Sequence, residues 1–271
     1  MIGAARQSPE RDRNPLMRTT RKVPSYRQCL EEFKLSLDGD DCLAAIVSAV
    51  VSHRPSATVR WLDVGIGDGR YVAQLSNKLS NHGVTLQVTG VEPDRASVRA
   101  ARRALPYATV RQGKFESIDL QPSFDVCCFS HSLYYVDDLG QALRKASSLL
   151  RDKGLIIAVC WSKNDDLYKL ADGVFGSARG NATTAEDVHT ALHALPDAVP
   201  LSPAVSLGTV DFTRWRSERS LAMNMRVISR GIFNKLDNGY EPSSAASMLA
   251  QFPDIGQRIN GVVAAQKAAV A

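Results

Sequence analysis

Between residues 58 and 161, short apolar runs of strand character alternate with segments of helical period, which restricts the chain to a small set of folds. "TVRWLDVG" (58–65) is β-rich and ends in glycine. After it, Tyr71, Val72, Leu75 and Leu79 recur on one helical face until Asn81 and Gly83 stop the run. "VTLQVTGVE" (84–92) is a second strand, and Pro93 with Asp94 opens a helix carrying Val98, Ala101 and Leu105. "ATVRQ" (108–112) and "FDVCCFS" (124–130) are the third and fourth strands. A helix capped by Asp137 or Asp138 follows, with Leu139, Ala142, Leu143, Ala146, Leu149 and Leu150 on one face. "GLIIAVCW" (154–161) is apolar throughout, as a strand buried on both faces is. Alternation through five strands predicts a mostly parallel α/β sheet, wrapped by helices on both faces through right-handed crossovers.

The flanks read differently. Residues 1–24 carry Pro9, Pro15 and Pro24 and no apolar period, so they are expected to form a flexible leader. Residues 1–22 hold +4 of the formal net charge of +5, leaving the rest without a basic stripe. A nucleic-acid partner is therefore not expected. Residues 25–271 read as a single domain, with helices over 25–55, a core over 57–162 and a looser 163–271. Tyr26, Leu30, Phe33 and Leu37 are helical in spacing, "DGDD" (38–41) breaks the run, and Leu43, Ile46, Val47 and Val50 resume it. Beyond Trp161 we expect helices near 164–175 and 184–194, a strand near 205–212 and helical C-terminal segments. No run approaches the ~20 apolar residues of a membrane span, and no signal-peptide core opens the chain, so a cytoplasmic location is expected. The five cysteines lack C-x-x-C spacing and read as buried thiols. His189 and His193 stand at i, i+4 without a third ligand, so no metal site is expected.

The chemistry concentrates at the end of the first core strand. In open α/β sheets ligands bind beyond the carboxyl ends of the strands. There "LDVGIGDG" supplies Asp63, Gly65, Gly67 and Gly69, glycines that admit a tight turn and let a ligand lie against bare backbone. The helix that starts here presents free N–H groups. Glu92 ends the next strand, placed to accept both hydroxyls of a ribose. A dinucleotide fingerprint, G-x-G-x-x-G, would need glycine at position 70, where this chain has Arg70.

Asp63 followed by G-x-G-x-G, with Glu92 and this strand order, resembles class I, Rossmann-like S-adenosylmethionine-dependent methyltransferases. The segment "FDVCCFSHSLYYVDDLGQALRKASSLLRDKGLIIAV" (124–159) is especially similar to the histamine N-methyltransferase family, which shares the "LYYV" step. That family also has a Val-Glu-Pro step like Val91, Glu92 and Pro93, and N-terminal helices with a tyrosine and a cysteine spaced like Tyr26 and Cys42. The similarity covers about residues 26–175, and the family's last hydrophobic strand finds no clear match in "NGVVAAQKAAVA".

The resemblance implies S-adenosylmethionine as cofactor, S-adenosylhomocysteine as product, no metal and a small-molecule acceptor. It implies cofactor contacts from Asp63, Gly65, Gly67, Gly69, Glu92 and Pro93, from Ser117 near the adenine, and from Ser130 and His131 at the methionine end. It implies an acceptor pocket walled by Tyr134 and Tyr135 under N-terminal lid helices bearing Tyr26. Trp161 and Tyr168, near the end of the fifth core strand, either line that pocket or are ordinary core. Where the family places its substrate-binding acid this chain has Gly39, with Asp38 and Asp40 beside it. His131, Asp38 and Asp40 are the candidate proton acceptors. Aromatic walls favour an acceptor that becomes more cationic as the methyl transfers, hence nitrogen of an amine or (hetero)aromatic, as in natural-product biosynthesis. The alternatives are a small-molecule O-methyltransferase and a non-catalytic binding protein of the same fold.

Overall fold

The computed structural model describes residues 24–39, 42–53, 56–175, 183–232 and 242–269. The leader read in 1–24, apart from Pro24, and Asp40 with Asp41 lie outside the described residues.

The five core strands form where the apolar runs place them: β2 (Thr58–Val64), β3 (Thr85–Glu92), β4 (Thr109–Gln112), β5 (Phe124–Ser130) and β6 (Leu150–Trp161). They are parallel to one another, and β2 lies between β3 and β5. Before them come α1 (Tyr26–Leu35), the two-residue β1 (Leu37–Asp38) and α2 (Leu43–His53). Ser25 closes a capping box with Gln28 at the start of α1, satisfying N–H groups that the first turn leaves open. Between the core strands run α3 (Arg70–Ser80), α4 (Arg95–Ala104) and α5 (Leu139–Leu149). Asp94 caps α4 and Asp138 caps α5, each side chain accepting a backbone N–H of the first turn. The β4–β5 connection carries no helix.

After the core come α6 (Asp166–Phe175), α7 (Ala185–His193), β7 (Ala198–Pro200), β8 (Ala204–Asp211), α8 (Glu218–Ile232), α9 (Pro242–Leu249) and β9 (Ile255–Lys267). The sheet runs β1-β8-β9-β6-β5-β2-β3-β4, with β7 also paired to β9. The two helices and the strand expected after Trp161 are α6, α7 and β8. The C-terminal reading needs correction, because "NGVVAAQK" lies within β9. Its Ala, Gln and Lys content is poor strand composition, but antiparallel pairing with β6 on one side and β8 on the other overrides local propensity. The sheet buries this segment on both faces: Val262 and Ala264 join one cluster, Val263 and Ala265 the other.

Three apolar clusters follow from this layering. One face of the sheet packs against α2, α3 and α4. The opposite face packs against α5 and α7. Cys127 and Cys128 fall on opposite faces, and all five cysteines are buried free thiols. A third cluster unites Phe33 of α1, Trp161, α6, α8, α9 and the turn Phe212–Trp215 into a cap. No helix among the described residues is long and apolar enough to cross a membrane.

Candidate functional site

The loop after β2 is built on three left-handed glycines that do three different jobs. Gly65 (φ 79°) faces the turn after β5, where an added Cβ would come within 2.6 Å of the Ser132 side chain. Gly69 (φ 81°) lies against α4, where a Cβ would meet the Ala101 backbone at 3.1 Å. Gly67 (φ 58°) has open space before it, the nearest atom to an added Cβ being a backbone oxygen at 4.0 Å. Two of these glycines thus draw neighbouring elements together, and the third leaves bare backbone at the strand end. The backbone N–H groups of Gly65 and Ile66 both donate to Val91 O, which holds the loop beside the end of β3.

Glu92 takes up the other side of that loop. One carboxylate oxygen accepts from Gly67 N–H at 3.0 Å and the other from Asp94 N–H at 2.9 Å. A carboxylate has about four lone-pair sites, so two remain for further donors. Burial raises the Glu92 pKa, opposed by these two hydrogen bonds. Asp63 sits beneath the loop, almost fully buried, and accepts from Trp61 Nε1 at 3.0 Å. Burial pushes its pKa up to about 7, against the Trp61 hydrogen bond and with the added repulsion of Glu92. Pro93 and Ser117 are exposed.

Beyond β5 the chain turns sharply at His131, a non-glycine residue in the left-handed region (φ 53°). Such a conformation costs on the order of 1–3 kcal/mol and persists where neighbours over-determine it. Here His131 N–H donates to Val159 O at 3.0 Å, and its Nδ1 lies 3.1 Å from the Tyr134 hydroxyl. That hydroxyl accepts from Trp161 N–H at 2.8 Å. It also hydrogen-bonds the Cys160 sulfur, whose thiol burial pushes up to about 12. The rings of His131, Tyr134 and Trp161 lie with centroids 5.9–6.5 Å apart, and Phe33 of α1 stacks on Trp161 at 6.1 Å. The two tyrosines therefore part company. Tyr134 is buried in this aromatic cluster, while Tyr135 is 42% exposed and its hydroxyl meets that of Tyr26 at 2.8 Å.

The structure thus brings Gly65, Gly67, Glu92, Ser130, His131, Tyr134 and Trp161 to the carboxyl ends of β2, β3, β5 and β6, with α1 above them. In the glycine loop Asp68 and Arg70 pair with each other: against the burial that would raise it, the Arg70 hydrogen bonds lower the Asp68 pKa, and the Asp68 hydrogen bond raises that of Arg70, with Lys34 and Glu31 of α1 adding smaller contributions. Tyr168 is buried on α6. Asp38 stands elsewhere, exposed on β1 at the sheet edge, five strands from β2. The imidazoles of His189 and His193 approach to 3.3 Å, and no group of three metal-ligating side chains occurs among the described residues. Two buried polar residues of β9, Arg258 and Asn260, escaped the sequence reading because their strand did.

Residues 62–158 match the family described as a methyltransferase domain. Among curated relatives, an uncharacterized methyltransferase of Alkaliphilus oremlandii is 27% identical over 53% of this chain and 61% of its own length. A ubiquinone biosynthesis O-methyltransferase of Bradyrhizobium diazoefficiens is 29% identical over 42% of this chain and 44% of its own. The chain spans about half the length of these relatives. Among solved structures, the YcgJ protein of Bacillus subtilis superposes with a TM-score of 0.56 at 14% identity, covering 84% of this chain and 98% of that one. A Thermotoga maritima protein, described as a SAM-dependent methyltransferase and possible histamine N-methyltransferase, gives 0.51 at 16% identity, covering 89% and 94%. Residues 62–158 thus carry a methyltransferase domain in sequence, and over most of its length the chain shares the Rossmann-like fold of these solved structures.

Proposed function

We propose that the protein transfers a methyl group from S-adenosylmethionine to a nitrogen of a small amine or (hetero)aromatic acceptor. The observation that carries this is the pairing of bare backbone at Gly67 with the Glu92 carboxylate, a bed with a ribose-binding acid at its edge. The donor set fits the cofactor: open space where a Cβ would intrude, two uncommitted carboxylate lone-pair sites, and the start of α3 for an anionic group. When bound, the cofactor supplies an already activated methyl group.

What remains for the protein is to orient and dry the acceptor, worth about 7–11 kcal/mol when well done. Trp161, Tyr134 and Phe33 supply an apolar enclosure next to His131. The Tyr134 phenol oxygen accepts from Trp161 N–H, and in the tautomer protonated at Nδ1 His131 donates to the same oxygen. That leaves Nε2 of His131 with the lone pair a proton acceptor needs. Asp38, at the far sheet edge, is the weaker candidate. Oxygen as the methylated atom is the second reading, favoured by the O-methyltransferase among the relatives.

Mass-spectrometric detection of methylated product and S-adenosylhomocysteine, across paired amine and phenol acceptors, tests the proposal. Turnover of amines supports nitrogen; turnover of phenols alone supports oxygen. Cofactor binding with no turnover of any acceptor supports a non-catalytic role. Glu92→Gln should weaken S-adenosylmethionine binding by about 10-fold or more, since hydrogen bonds to a charged group contribute about 1.5–3 kcal/mol.

A further inference from the structure

The last residue of β6, Trp161, pairs across the sheet with Asn260 of β9. Directly opposed residues of antiparallel strands project to the same face. Asn260 therefore shares a sheet face with the Trp161 indole, on which Phe33 of α1 stacks, and β6 separates its strand from β5, the strand that leads into His131. It is 1% exposed, and neither its amide nitrogen nor its amide oxygen has a hydrogen-bond partner among the described residues. An isolated amide is an expensive thing to bury, and such groups in native proteins call for a physical reason. Two residues along the same face, Arg258 is also buried, its charge acting on both Asp165 and the Tyr134 phenol. This end of β9 is thus a polar strip laid into an aromatic enclosure.

We infer that Asn260 is a specificity residue that reads a paired donor and acceptor on the methyl acceptor, as a carboxamide or lactam edge presents them. A primary amide offers N–H beside C=O, and a second amide matches it in either orientation. Trp161 supplies the flat apolar surface against which the acceptor's ring lies. The inference rests on the methyltransferase reading for what becomes of the bound molecule, but not for its recognition. Entry requires a covering element to move, because Asn260 is 1% exposed.

The test uses the full-length chain saturated with S-adenosylhomocysteine and two probes of equal shape, benzamide and acetophenone, titrated by ligand-observed NMR. Acetophenone keeps the carbonyl and lacks the N–H, leaving the Asn260 oxygen unmatched. We expect benzamide to bind about 10-fold tighter on the wild type. In Asn260→Leu the ratio should fall to about 1, and the melting temperature should hold or rise by a few degrees because a buried orphan amide is gone. Equal affinities on the wild type, a ratio that persists in Asn260→Leu, or a melting temperature lowered by several degrees would each overturn the assignment. The wild-type comparison decides even if the variant does not fold. Failure of S-adenosylhomocysteine to bind would instead count against the cofactor site, and the two-probe ratio measured without it would still judge Asn260.

Discussion

The parallel core and the cap over its carboxyl ends are both densely apolar, yet they treat polar atoms in opposite ways. Around β2–β6, buried side-chain polar groups are committed: Asp63 to Trp61, Glu92 to Gly67 and Asp94, and Asp125 to Arg60 N–H and Arg151. In the cap, Trp215 Nε1, Asn224 Oδ1, Ser229 Oγ and both amide atoms of Asn260 are buried without hydrogen-bond partners among the described residues. Ser132 Oγ, at the mouth between the two regions, shares that condition. A buried group left unmatched costs about 1–3 kcal/mol, so a fold selected for stability alone would not gather several on one side. The core is organised for stability. The cap gives some of it up at these unmatched groups.

Several substitutions would break this contrast or sharpen it. The largest effect belongs to the core. Leu75→Ala, at a fully buried position of α3, should cost about 2–5 kcal/mol and lower the melting temperature accordingly, with S-adenosylmethionine affinity little changed. A comparable loss of affinity without loss of stability would erase the division of labour.

Next comes Asp63, whose pKa burial raises from its ordinary 3.8 to about 7. The folded chain keeps this proton where the unfolded chain has released it. Its contribution to stability is therefore complete below pH 3.8 and is lost as the pH climbs to about 7. Asp63→Asn keeps an oxygen for Trp61 and removes the titration, so the variant should gain on the wild type by on the order of 4 kcal/mol between these limits. Melting curves collected from pH 4 to 8 test this; parallel pH profiles for the two proteins would contradict it.

The smallest effect is expected at the lid. Tyr26→Phe deletes one partly exposed hydrogen bond to Tyr135 and should cost about 0.5–1.5 kcal/mol at most. Its signature is a raised KM for the acceptor with an unchanged Kd for the cofactor. If the cofactor's Kd rises instead, α1 closes over the glycine loop and not over the acceptor.

The same two regions differ in how far they could be read from the sequence. The core was legible because its information is local. Val72, Leu75 and Leu79 keep helical spacing, the glycines punctuate, and Glu92 follows the loop at a characteristic distance. The cap depends on contacts between distant segments. β1 consists of two residues beside the "DGDD" break, made into a strand only by Val210 and Thr209 of β8. β9 is Ala-rich and becomes a strand because β6 and β8 offer it two edges, so the inward direction of Asn260 had no local signal. His131 was legible as a residue type after β5, but its left-handed backbone and its contact with Tyr134 were not. The tyrosine pair looked equivalent in sequence, and the turn Leu133–Tyr135 sends one ring inward and the other toward α1.

The central claim is that the Gly65–Gly69 loop with Glu92 is a cofactor bed. Calorimetric titration of S-adenosylmethionine into the full-length chain and into Gly67→Val tests it most directly. A Cβ at Gly67 meets no neighbour closer than 4.0 Å, so the strain of a left-handed branched residue is the only expected cost to folding. The account predicts saturable binding at one site per wild-type chain, and no measurable heat from a variant that still melts cooperatively. Equal affinities for the two proteins, or no binding to the wild type, would contradict it.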